Sequence, residues 1–224
     1  MLNRGVEWMM RRTLRSALHD ITLCGSRPSI PSGASVVLYM NHQYFYDGYV
    51  AWWFLKTVLQ RNCLVWMREW HRFPFFAASG AYPFPDEQPR RRLRTIKQTM
   101  ERITRQPEDA LLLFPEGTMH AMNEPLLPFD DRLFAILHRL GPSALFVPLA
   151  LHVTHANEAL PSARLLCGTP HQTPTGEERK TLEGLTKQLR DSLCPSGDVL
   201  LHGTASPNAR WSFRFAAPWF ERYL

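Results

Sequence analysis

The sequence predicts a single α/β domain, with a mostly parallel β-sheet flanked by helices on both faces. Three observations predict it. Short apolar runs of strand length recur at residues 35–40, 64–67, 110–114, 145–151 and 163–167. Amphipathic stretches with helical spacing separate most of them, and strand–helix alternation indicates crossover units in a parallel sheet. The chain has 224 residues, 45% apolar and 21% charged, which is enough to bury one sizeable core.

Residues 4–22 read as a helix. Val6, Met9, Met10, Leu14, Ala17, Leu18 and Ile21 fall near one face, and Arg4, Arg11, Arg12 and Arg15 take the remainder. With Trp8, this stripe suits either a helix lying on a membrane or one docked on its own domain. A Ser, Pro and Gly-rich stretch from Gly25 to Gly33 ends the segment. The expected organisation is an N-terminal amphipathic helix and linker over 1–33, then the main domain over 34–224.

The strand at 35–40 runs into Asn41-His42-Gln43-Tyr44-Phe45-Tyr46-Asp47-Gly48, and an almost wholly apolar helix follows from Tyr49. A His and an Asp thus emerge at the carboxyl end of a strand, where ligands bind in open α/β sheets. His42 is a candidate general base, with Asp47 as its orienting carboxylate. Asp47 also sits where a carboxylate caps a helix N-terminus, and its two oxygens can serve both roles. The strand at 64–67 leads into an aromatic, Pro-rich connection from Arg68 to Pro85, which suits an apolar groove wall, a membrane contact or core packing.

Residues 89–105 read as a helix opening on Pro89, with Leu93, Ile96, Met100 and Ile103 facing the core. Arg90, Arg91 and Arg92, with Arg94 and Lys97, make a dense positive patch. It is either a solvated face or a grip on a phosphate-bearing ligand. The strand at 110–114 ends at Pro115 and enters Glu116-Gly117-Thr118, placing a second carboxylate just past a strand. Helices at 130–140 and 176–193 and strands at 145–151 and 163–167 complete the alternation. The terminal aromatics and arginines of 211–223 suit a lipid interface or a cover for the sheet edge.

Net charge is +6 with pI near 9.4, which favours an anionic partner. Seven Trp and thirteen Phe turn that reading toward a membrane surface. Cys24, Cys63, Cys167 and Cys194 form no Cys-x-x-Cys pair, so a zinc ribbon is not indicated and a reducing compartment is expected. Neither a signal peptide nor an 18-residue apolar span is evident.

Taken together, Asn41-His42 and then Asp47 after four intervening residues, Phe114-Pro115-Glu116-Gly117-Thr118, and Pro148 inside an apolar strand resemble the glycerolipid acyltransferases, of the 1-acylglycerol-3-phosphate type. The resemblance spans roughly 35–151. It implies acyl transfer from a thioester, either acyl-CoA or acyl carrier protein, to a hydroxyl of a lipid acceptor such as a lysophospholipid. His42 removes the hydroxyl proton and Asp47 fixes the imidazole, with no cofactor and no metal. Asn41, Glu116, Gly117 and Thr118 are substrate-binding by the same resemblance, with Glu116 accepting from an acceptor hydroxyl. The family's arginines are absent from two expected places, now Asp86 and Met119. Either Arg90 to Arg92 substitute, or the acceptor carries no phosphate there, as in a glycolipid or glycosylated carotenoid. The expected location is peripheral, on the cytoplasmic face of a membrane.

Other classes leave weaker marks. There is no Gly-x-Ser-x-Gly and no His-Glu-x-x-His, and His152, His155 and Glu158 are the sole candidate metal cluster. A basic binding module for nucleic acid or membrane fits the charge, but no nucleic-acid motif is present.

Overall fold

The computed structural model describes residues 2–155, 158–191, 197–204 and 218. The Trp211–Tyr223 stretch lies outside the described residues, apart from Pro218. In chain order the elements are α1 (Leu2–Ala17), β1 (Asp20–Cys24), β2 (Val36–Met40), α2 (Asp47–Thr57), β3 (Asn62–Met67), a 3₁₀ helix (Pro74–Ser79), β4 (Ala81–Pro83), α3 (Pro89–Arg105), β5 (Asp109–Leu113), α4 (Asp131–Leu140), β6 (Leu145–Thr154), β7 (Ser162–Cys167), α5 (Glu178–Asp191) and β8 (Gly197–His202).

The strands form one sheet in the order β4-β3-β5-β2-β6-β7-β1-β8. Pairing is parallel except for β6 with β7 and β1 with β8. Successive strand residues point to opposite faces. Val36, Leu38 and Met40 therefore join Ala110 and Leu112 in a core beneath α1 and α2. Val37 and Tyr39 join Leu111 and Leu113 in a second core with residues of α3, α4 and α5. β2 and β5 are buried at every position, as strands covered on both faces should be.

The N-terminal segment departs from the sequence expectation. The helix over 4–22 stops at Ala17, and Asp20–Cys24 is a strand, parallel to β7 and antiparallel to β8. Val6, Met10 and Leu14 are buried in the first core, each burial worth about 1.5–3 kcal/mol. The apolar stripe of α1 thus packs on the core, and β1 joins the sheet. Trp8, Arg4, Arg11 and Arg12 remain exposed.

Gly80 ends the 3₁₀ helix in a left-handed conformation, φ 92°. A Cβ there would lie 1.9 Å from the Cys63 carbonyl oxygen, so only glycine lets β4 enter beside β3 at this point. Cys63 and Cys167 are free thiols. Cys24 is disulfide-bonded. No helix among the described residues is long and apolar enough to cross a membrane.

Candidate active site

β2, β5 and β3 are neighbours in the sheet and run parallel, so their carboxyl ends lie side by side. The loop that leaves β2 carries His42, the loop that leaves β5 carries Glu116, and Arg68 follows β3. That edge is where an open α/β sheet places ligands.

His42 Nδ1 donates to Asp47 Oδ2 at 2.5 Å. Asp47 opens α2, and its other oxygen, Oδ1, accepts from the Gly48 amide at 2.6 Å. One carboxylate therefore both orients the imidazole and satisfies a free amide of the helix start. Burial raises the Asp47 pKa above the ordinary aspartate value, and the His42 and Gly48 bonds oppose that shift only in part. With its proton on Nδ1, the ring presents Nε2 as a base, and Nε2 takes no partner among the described residues. The His42 side chain is about a quarter exposed, 26%, whereas Asp47 is 4% exposed. The base reaches solvent and its orienter does not.

The His42 ring stacks on Phe114, centroids 4.4 Å apart. Its backbone N–H donates to Glu116 Oε1 at 2.7 Å, and its carbonyl accepts from the His120 N–H at 3.1 Å. Glu116 Oε2 accepts from the Leu127 amide at 2.9 Å and from His120 Nε2. The Glu116 side chain is wholly buried. Its oxygens are taken here by three groups of the protein, one of them the His42 amide.

Asn41 is fully buried, and its side chain bonds the backbone of Leu151 on β6 twice, accepting at 2.8 Å and donating at 2.9 Å. Its amide also donates to Gln43 Oε1 at 3.0 Å, and Gln43 in turn donates to the Glu124 carbonyl at 2.9 Å. Asn41 thus ties the loop of His42 to the neighbouring strand.

Gly117 turns with φ 68°, and both it and Thr118 are exposed at the rim. Arg68 Nη2 donates to the Gly117 carbonyl and, at 3.2 Å, to Thr118 Oγ1. Sequence reasoning missed Arg68. The signal was available, since it is the first residue past β3 in a sheet that binds ligands at strand ends. Arg90 and Arg91 instead line an open groove of about 830 Å³ between β4 and α3, with Tyr82, Gln88 and Arg94. Arg92 lies over the Phe84 ring at 4.4 Å. None of the three contacts His42, Glu116 or Gly117.

Burial pushes the Cys63 and Cys167 thiols up to about 12, so neither is a thiolate nucleophile at neutral pH. His152 is half-buried, with its pKa lowered by burial and by Arg190. Among the described residues no group of three His, Cys, Asp or Glu stands close enough to hold a metal.

This chain is similar in structure to the 1-acyl-sn-glycerophosphate (LPA) acyltransferase PlsC from Thermotoga maritima, with a TM-score of 0.55 and 17% sequence identity. The alignment covers 85% of this chain and 79% of that one, and at such identity the likeness is one of fold. No curated protein matches the sequence. Residues 24–152, more than half of the chain, match the family model described as Acyltransferase. That span contains the loop of His42 and Asp47 and the loop of Glu116, and the chain belongs to the acyltransferase family.

Proposed function

We propose that the protein transfers a fatty acyl group from an acyl thioester to a hydroxyl of a lipid acceptor, with His42 as general base and Asp47 as its orienting carboxylate. The observation that carries this is the Nδ1–Oδ2 bond of 2.5 Å, which leaves Nε2 open at the mouth of the site. The acceptor hydroxyl gives its proton to Nε2 as its oxygen attacks the thioester carbonyl. The tetrahedral intermediate then collapses, the C–S bond breaks, and the thiol leaves with a proton returned by the imidazolium. A thioester is activated enough for direct attack, and general-base help of this kind is worth about 10²–10⁴-fold. Asp47 stabilises the imidazolium between the two steps. The amides of Phe45 and Tyr46, which donate to no described group, stand just before α2 as candidates to receive the oxyanion.

The test is His42→Ala with a labelled acyl thioester and a panel of lipid acceptors. The variant should remain folded by circular dichroism and lose turnover by at least about 10²-fold. Near-normal turnover would sink the base assignment.

The donor stays either acyl-CoA or acyl carrier protein. Both are acidic, and Arg90, Arg91 and Arg94 around the α3 groove suit either. The reading also places the protein peripherally on a membrane. Ring contacts run unbroken from Phe45 through Tyr46, Tyr49, Phe76 and Phe75 to Phe73. Phe45, Phe73, Phe75 and Trp8 are exposed, and Arg72 and Arg12 lie over Phe73 and Trp8. Aromatics edged by arginine suit an anionic lipid interface. Changing Trp8, Phe73 and Phe75 together to Ser should cut co-sedimentation with anionic vesicles several-fold, and undiminished binding would refute the assignment.

A further inference from the structure

One ion pair at the mouth of the site is unexplained by the catalytic reading. Arg68 leaves the carboxyl end of β3, and its Nε forms an ion pair with Asp86 Oδ2 at 3.0 Å. Its Nη2 holds the Gly117 carbonyl and Thr118 Oγ1. Among the described residues Arg68 Nη1 and Asp86 Oδ1 make no hydrogen bond, and the two side chains are 47% and 55% exposed. Strands β3, β5 and β2 are consecutive in the sheet, so Arg68 and His42 follow strand ends two strand spacings apart, roughly 10 Å.

We propose that the Arg68–Asp86 pair selects an acceptor with an uncharged polyhydroxyl head group and disfavours a phosphomonoester. This rests on the acyl-transfer reading above and deepens it. A phosphomonoester presents only acceptor oxygens and carries about two negative charges, so it needs uncommitted cations. Here the cation is already matched by a carboxylate that repels the incoming dianion. Arg72 pairs with Glu69 at 3.3 Å, Arg92 lies over Phe84, and Arg90 and Arg91 line the separate groove beside α3. Met119, the other place where the resemblance expects arginine, is an exposed apolar side chain. By contrast the open donor on Nη1 beside the open acceptor on Oδ1 matches a hydroxyl pair, which both accepts and donates. Asp86 is thus a specificity-determining residue, and Arg68 keeps the donor in place by its hold on Gly117.

The experiment compares an alkyl glucoside with a lysophosphatidate of the same chain length, both presented in neutral vesicles. Wild type, Asp86→Asn and Arg68→Gln are assayed for transfer from acyl-CoA and from acyl carrier protein. Binding of the same two lipids is measured in each on a His42→Ala background. Wild type should prefer the glucoside. Asp86→Asn frees the guanidinium and should move both the kcat/KM ratio and the binding ratio toward lysophosphatidate by about tenfold or more. Arg68→Gln should weaken binding of both lipids. A wild-type preference for lysophosphatidate, or ratios unmoved by Asp86→Asn, overturns the proposal. If no transfer occurs with either donor, the acyl-transfer reading fails for these acceptors, while the binding ratios still decide the role of Asp86. All three side chains lie at the exposed rim or the site mouth, and thermal unfolding confirms that each variant is folded.

Discussion

Asp47→Asn is expected to lower turnover by about 10³–10⁴-fold while the protein unfolds at the same temperature or a higher one. The asparagine keeps an oxygen for the Gly48 amide, which Oδ1 now accepts at 2.6 Å. At the other position it turns an amide N–H toward His42 Nδ1, so the imidazole must move its proton to Nε2 and ceases to be a base on the open side. The stability half follows from burial. Asp47 has a raised pKa in the fold, chiefly because burial disfavours its charge. At a pH above both the unfolded and the folded values, folding therefore pays to hold the carboxylate ionised. That handicap shrinks as pH falls through the folded pKa toward the unfolded one. Asparagine removes it at every pH. Turnover of wild type should accordingly fall on the acid side at a pH above the usual aspartate range, as Asp47 takes a proton. Thermal unfolding and a pH–rate profile check both halves. A variant that retains activity, or one that is strongly destabilised, contradicts this account of Asp47.

Glu116→Ala should produce the opposite balance, a loss of stability with a loss of rate. The Glu116 carboxylate is buried and accepts from the His42 amide, the Leu127 amide and His120. Its removal leaves these donors inside the protein without partners, at a cost of about 3–5 kcal/mol. It also releases the backbone on which the His42 ring is mounted, and misplacement of a base by about 1 Å can cost 10²-fold in rate. Glu116→Gln, which keeps one acceptor oxygen, should fall between. Urea denaturation and turnover at a temperature where both variants are folded make the comparison. If Glu116→Ala abolished turnover at unchanged stability, Glu116 would be touching substrate instead.

The contrast between these two carboxylates explains what the sequence made legible. His42 and Asp47 are five residues apart on one loop, so local spacing is enough to suggest the pair. Glu116 is visible as a carboxylate after a strand, but its partners are 74 residues back and 11 residues ahead, and no local pattern separates a ligand-facing carboxylate from a buried one. The bonds of Asn41 to Leu151 are hidden from local pattern for the same reason, since they cross 110 residues. Arg68 went unnoticed because the resemblance directs attention to positions 86 and 119. The cation that enters the site does so from β3, through a bond to the very aspartate that replaces the expected arginine.

Among the elements, α3 has the bounds expected of it, Pro89–Arg105, with Ile96, Met100 and Ile103 buried, but Leu93, expected in the core, is exposed. β1 was hidden because Leu18 and Ile21 continue the period of α1, and only pairing with β7 and β8 makes Asp20–Cys24 extended. β4 has three residues, and β8 begins Gly197-Asp198, so neither carries an apolar run that a pattern can detect. Tertiary context decides such segments.

Under the membrane seating proposed above, the row of rings from Phe45 to Phe73 has a consequence for how substrate would be found. It begins three residues after His42 in the chain and runs to exposed Phe73 and Phe75. Taking a long-chain lipid out of a bilayer into water costs about 0.8 kcal/mol for each methylene, on the order of 10 kcal/mol for a whole tail. With that row seated among lipids, the tail never makes that crossing, and only the head group rises to the imidazole. The search for acceptor then runs in two dimensions. Its rate is set by the mole fraction of acceptor in the surface, whatever the volume of solution around it.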